Sequence, residues 1–165
     1  AMIHAQATFG GIGEACITAI EGLNVMYDED LIGNAERVGG YLITRLNELK
    51  DKYPQIIKDV RGRGFMVGLE FQDFSQTLPA FLRPMVALLD DKLKGSLSGF
   101  VGAELLRDHD VLVAFTEYNR NVIRLEPPLI CGPEHVDEFI AALDTVLGRG
   151  IVRIVRDFIG SQTRK

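Results

Sequence analysis

Cysteine is scarce in this chain, and the patterns that would put cysteine or histidine to work are missing. Cys16 and Cys131 stand far apart with no Cys-x-x-Cys spacing, which argues against a disulfide framework or a zinc site. They read as buried or inert thiols in a reducing compartment. His4, His109 and His135 have no metal-ligand spacing with one another or with the cysteines, and no Ser-His-Asp or Cys-His set emerges. No apolar run approaches the ~20 residues that span a bilayer, and no signal peptide is visible. The basic excess of a general nucleic-acid binder is absent too, since the formal net charge is −5. Internal repeats and low-complexity tracts are lacking. The expectation is a soluble, cytoplasmic chain with no membrane and no nucleic-acid partner.

What is there suffices for a core. With 165 residues, 47% hydrophobic and 25% charged, the chain is one globular domain or a large piece of one. It opens at Ala1-Met2-Ile3-His4 and reaches a glycine-rich turn at once, as a fragment would.

After Gly10-Gly11-Ile12-Gly13, the residues Ala15, Thr18, Ala19, Gly22, Leu23 and Met26 fall on one stripe, which Cys16, Ile20 and Tyr27 widen. So broad an apolar surface predicts a helix buried on more than one side. Asp28-Glu29-Asp30 ends it and places carboxylates at the start of the next helix. Leu31, Ala35, Val38, Leu42, Leu46 and Leu49 then predict a long amphipathic helix, closed by Pro54. Val60 to Phe71 reads as a strand, with Arg61-Gly62-Arg63-Gly64 as the turn leading into it. Residues 73 to 98 predict a loop with one helix from Pro84 to Leu93. A helix from Phe100 to Asp108 follows, then short strands at Val111–Phe115 and Val122–Leu125 about the turn at Glu117–Asn121. Pro133 suits a first helical turn. Beyond it, Val136, Phe139, Ile140, Leu143, Val146 and Leu147 form a further stripe, which Ile151 to Ile159 extend past Gly148 and Gly150. This order implies an α+β layer, with helices on one face of a small, mainly antiparallel sheet. Such a layout hosts many functions.

Two segments could carry chemistry. Thr8-Phe9-Gly10-Gly11-Ile12-Gly13 lies just before a helix, where N–H donors and the dipole suit a phosphate; a plain glycine turn is the alternative. A dinucleotide site is rejected because Cys16 stands where the third glycine would be and no strand precedes. In Ile123-Arg124-Leu125-Glu126-Pro127-Pro128-Leu129, an arginine sits within a short apolar strand. Its fork suits a bidentate carboxylate. The competing reading pairs it with Glu126 or Glu70, and strand alternation does put Arg124 and Glu126 on one face.

Taken in order, four segments resemble the class III pyridoxal-phosphate aminotransferases. They are His4 to Ala15 (HAQATFGGIGEA), Asn34-Ala35 within the leucine-striped helix, Val60 to Glu70 (VRGRGFMVGLE) and Val122 to Leu129 (VIRLEPPL). The likeness spans nearly the whole chain and is weakest from 73 to 98. Gly99 to Leu106 (GFVGAELL) is most similar to the putrescine and ornithine transaminase branch. Ala7 replaces a hydroxyl residue often seen beside the threonine, and Ile12-Gly13-Glu14 replaces an Asn-Pro-Leu-like stretch.

The resemblance implies the small domain of a fold-type I enzyme that works as a homodimer with pyridoxal 5′-phosphate (PLP). Residues 1–57 would be a helical interface segment following the cofactor domain, and 58–165 the carboxy-terminal small α+β domain. Thr8 would contact the cofactor phosphate of the neighbouring subunit, and Arg124 the substrate carboxylate. The Schiff-base lysine belongs to the preceding large domain, and no lysine here follows its motif. The chain alone is therefore expected not to transaminate, and its first helix is expected to pack on that large domain. Two other readings stand beside this one: a free-standing α+β association module, and a small ligand-binding regulatory domain.

Overall fold

The computed structural model describes residues 12–73 and 97–162, with side chains described to Asp157. The elements run α1 (Gly13–Asp28), α2 (Leu31–Lys52), β1 (Ile57–Arg63), β2 (Met66–Phe71), α3 (Leu97–His109), β3 (Ala114–Phe115), β4 (Val122–Leu125), α4 (Pro133–Gly148) and α5 (Ile151–Gln162). The four strands form one antiparallel sheet in the order β1-β2-β4-β3. The predicted α+β layer is what forms. Thr8 and the predicted helix from Pro84 to Leu93 lie outside the described residues.

Alternation sorts the strands into an inner and an outer face. Val67, Leu69 and Phe71 of β2 and Ile123 and Leu125 of β4 are buried. Against them pack the α2 stripe (Val38, Leu42, Leu46, Leu49), Phe100, Val101 and Leu105 of α3, and Ile140, Leu143, Val146 and Leu147 of α4. Leu46 and Ile123 are 0% exposed. Each such side chain contributes about 1.5–3 kcal/mol of burial. The outer face carries Met66, Gly68, Glu70, Arg61 and Arg124, and the helical stripes lie on the inner side.

The predicted single strand from Val60 to Phe71 is instead a hairpin. Arg61 and Arg63 are ladder residues of β1, paired with Gly68 and Met66. The turn is Gly64-Phe65, where Gly64 takes φ 54°, a left-handed conformation that glycine adopts without strain. α2 presses on this turn so closely that a Cβ on Gly39 would overlap the Gly64 carbonyl. The strand expected at Val111–Phe115 shortens to Ala114–Phe115, because the Val111 N–H donates to the Leu105 carbonyl at 3.2 Å and closes α3. The C-terminal stripe breaks into two helices at Gly150, whose φ is 77°.

α1 departs most from expectation. None of its residues is buried, with Ile17 70% and Tyr27 73% exposed. Only Met26, near its end, is half-buried, beside Ile32 and Phe65; the rest of its stripe meets no apolar layer among the described residues. Cys16, read as buried or inert, is exposed with it, while Cys131 is half-buried. Between the two long helices, Asp30 turns the chain at φ 49°; its carboxylate takes Arg37 at 2.8 Å and its carbonyl starts α2 by accepting the Asn34 N–H.

No helix among the described residues is long and apolar enough to cross a membrane. Among the same residues, no group of three or more His, Cys, Asp or Glu side chains could hold a metal ion.

Candidate active-site segment

The register of β4 decides what Arg124 does. Its neighbours across the sheet are Gly68 on β2 and Ala114 on β3, two of the smallest residues. No bulky cross-strand side chain crowds the guanidinium, and the side chain stays 50% exposed on the outer face. Its Nε lies 3.2 Å from Glu126 Oε1, so the internal pairing with Glu126 forms and the one with Glu70 does not. The terminal nitrogens of Arg124 have no partner among the described residues.

Glu70 is committed elsewhere. It is largely buried and takes Lys58 at 2.7 Å and Arg61 at 2.6 Å. Those cations, Lys58 first, hold its carboxyl below the ordinary value against the opposing effect of burial. Several other described cations are similarly spent. Arg45 pairs with Glu48 and Asp137, Arg107 and Arg149 with Glu104 and Asp108, and Lys52 with Asp144. In the Glu104 cluster, Arg107 and then Arg149 pull the Asp108 carboxyl down to about 2. Arg63, exposed at the end of β1, has no partner among the described residues.

Arg124 borders an apolar cavity of about 680 Å³ lined by Leu42, Val113, Leu125, Cys131, Val136 and Phe139, with Glu126 and Pro127 beside it. That is the size of a small-molecule site. A second cavity of about 480 Å³ lies across Glu126 and Pro127, lined by Arg63, Phe65, Ala35, Ile32 and Leu129. In the first cavity, burial and then Glu134 raise the Cys131 thiol, which keeps it protonated and a poor nucleophile. Among the described residues, no lysine lines either cavity. Lys50 faces Asp59 at 3.7 Å, while Lys52 and Lys58 hold the carboxylates named above.

Comparison with known proteins gives the family of the chain that carries this arginine. The sequence matches the family model "Aminotransferase class-III" over residues 3–147. The chain belongs to the class-III aminotransferases. Aminotransferase PigE of Serratia sp. is 29% identical, with 86% of this chain and 20% of that protein covered. Alanine–glyoxylate aminotransferase 2 homolog 2, mitochondrial, of Arabidopsis thaliana is 31% identical, with 83% and 26% covered. Among solved structures, an amine transaminase from an uncultivated Pseudomonas species in a PLP-bound form matches with TM-score 0.64 and 27% identity, covering 90% of this chain and 30% of its own. Ornithine aminotransferase of Plasmodium yoelii gives TM-score 0.61 at 26% identity, covering 94% and 33%. This class-III segment thus spans about a fifth to a quarter of the curated relatives it matches.

Of the two predicted site residues, Arg124 borders the larger cavity and Thr8 lies outside the described residues. Sequence reasoning missed the cavity walls. Leu42 and Val136 read as ordinary core stripe, and nothing local marks them as facing a hollow. It also left Asn34 without a role, although its amide bonds Leu129 and Cys131.

Proposed function

We propose that this chain is the carboxy-terminal portion of a PLP-dependent aminotransferase, and that Arg124 receives the carboxylate of the amino-acid or keto-acid substrate. One observation carries this reading: a half-exposed guanidinium with free terminal N–H donors, on a residue that borders an apolar cavity. Its bond to Glu126 joins two half-exposed groups, a kind of pair worth about 0–1 kcal/mol. A substrate carboxylate meeting both terminal nitrogens forms the stronger, bidentate contact. The apolar walls would hold the substrate's carbon chain and exclude water from it.

When bound in the parent enzyme, PLP would supply the electron sink for the amino-group transfer. The described residues do not fit that cofactor by themselves, since neither cavity offers an amine to hold it. Their part is to bind and orient. Thr8 is proposed for the phosphate contact, in a neighbouring subunit of a cytoplasmic homodimer. Residues 1–57 are proposed as the interface segment, with the apolar side of α1 covered by the cofactor domain, and 58–165 as the small domain. The likeness of Gly99–Leu106 to the putrescine and ornithine branch supports an amine or amino-acid donor of that kind.

Two measurements test this. In the full-length enzyme, Arg124→Gln should raise the keto-acid KM by roughly tenfold or more, the loss of a charged hydrogen-bond pair; an unchanged KM would remove Arg124 from the site. The isolated chain, mixed with PLP and reduced with borohydride, should carry the cofactor on no single lysine. Stoichiometric labelling of one lysine would show that the segment holds its own Schiff-base residue.

A further inference from the structure

Asn34 sits in the first turns of α2, and its side-chain nitrogen donates to the Leu129 carbonyl at 2.8 Å and the Cys131 carbonyl at 3.0 Å, across 95 and 97 residues of sequence. Carbonyl oxygens only accept, so both hydrogens of the amide are committed and its orientation is fixed by chemistry. The stretch it grips is the wall between the two cavities. Ile130 and Cys131 line the larger, Leu129 lines the smaller, and Glu126 and Pro127 border both.

Among the described residues, that wall has few other ties. The sheet ladder stops at Leu125, and Pro127 and Pro128 have no N–H to give. The Cys131 N–H closes a turn on the Pro128 carbonyl at 2.9 Å, and the Gly132 N–H donates to His135 Nδ1 at 3.2 Å. These bonds lie within the stretch and its junction with α4. Asn34 attaches it to α2, which is itself anchored by the Gly39–Gly64 contact and the buried leucine stripe.

We infer that Asn34 is a positioning residue for the substrate site: by fixing the wall it sets where Glu126 stands beside Arg124, which the sheet ladder holds in place. The inference rests on the carboxylate role proposed for Arg124. Selection of the carboxylate substrate then depends on an amide that never touches it.

A packing role and a positioning role differ in what they ask of residue 34. Packing asks for volume, whereas positioning asks for two donors. Asn34→Asp keeps the shape but turns a carboxylate toward two carbonyl oxygens, while Asn34→Ala leaves them to water. The aspartate variant should therefore be worse than the alanine one. Protonating the new carboxyl restores a donor, so the defect should shrink toward acid pH.

The test is steady-state kinetics of the full-length enzyme with saturating PLP and varied keto acid, beside hydrogen exchange of the backbone amides at 129–132. Asn34→Asp should raise the keto-acid KM roughly tenfold and lower kcat less, with Asn34→Ala intermediate, as expected for repelled against merely lost hydrogen bonds. Exchange at 129–132 should quicken in the same order. A KM equal to that of the unmodified enzyme in both variants, or a larger effect from alanine than from aspartate, would overturn the inference. If the aspartate variant does not fold, Asn34→Ala with unchanged KM and unchanged exchange overturns it alone. Arg124→Gln run in parallel separates the two claims. An unchanged KM there defeats the carboxylate reading, while a raised KM there with normal Asn34 variants defeats only the positioning role.

Discussion

On β4, Ile123 and Leu125 turn into the helices, and Arg124, between them, turns away. The two faces of the sheet differ in what their side chains have left to offer. Inner-face residues meet leucines and phenylalanines on several sides and hold the fold together. On the outer face, Lys58, Arg61, Asp59 and Glu70 bond one another, while Arg124 keeps free donors. One strand thus carries structure and recognition on alternate residues, and the split follows from the period of two.

The largest expected separation comes from neighbouring substitutions on that strand. Ile123→Ala should cost about 2–5 kcal/mol in denaturant unfolding, as for other fully buried aliphatic side chains. Arg124→Gln, one residue on, should cost less than about 1 kcal/mol. Comparable losses would mean that Arg124 is held by the fold and is not spare. Gly39→Ala should fall on the structural side of the divide, since its Cβ would push α2 off the Gly64 turn, lowering the melting temperature.

Acid should act on the bonded charges. Glu70, Asp108 and Asp144 all titrate below their ordinary values in the folded chain, drawn down by Lys58, by Arg107 and by Lys52 respectively. A carboxyl whose folded value is depressed contributes stability above its unfolded value, and that stability is lost as pH falls through the folded one. The melting temperature should stay flat down to about pH 5 and fall below about pH 4, where unfolded carboxyls begin to protonate. Asp108, at about 2, would be the last to give way. Glu70→Ala should remove part of this dependence at a cost of about 1 kcal/mol, because Lys58 and Arg61 are half exposed and fall back on water. The smallest effect concerns the thiols. Exposed Cys16 should alkylate faster than half-buried Cys131, whose thiol is raised by burial; equal rates on the native protein would contradict that environment.

Much of this was legible in the sequence where one period and one partner sufficed. The stripe from Leu31 to Leu49 became α2, Pro133 opened α4, and Val122–Leu125 became β4 with Arg124 and Glu126 on one side. The hairpin at Gly64-Phe65 was hidden because Arg61-Gly62-Arg63 reads as turn by composition, while the ladder with Met66 to Gly68 makes it strand. Tertiary pairing overrode local preference there. α1 failed for the opposite reason: its stripe is real, but burial needs a second surface, and beyond Met26 the described residues supply none. The site was half legible. Arg124 stood out as a charge inside an apolar strand, whereas its freedom depends on Gly68 and Ala114 lying across from it, which only the register reveals.

Whether Arg124 reads a carboxylate decides the role of the outer face. The most direct measurement is the ratio of kcat/KM for a keto-acid acceptor to that for an aldehyde of the same chain length lacking the carboxylate, in the full-length enzyme and its Arg124→Gln variant. The ratio should collapse in the variant by roughly tenfold or more, with the aldehyde little affected. A ratio that stays the same, or an equal loss on both acceptors, would contradict it.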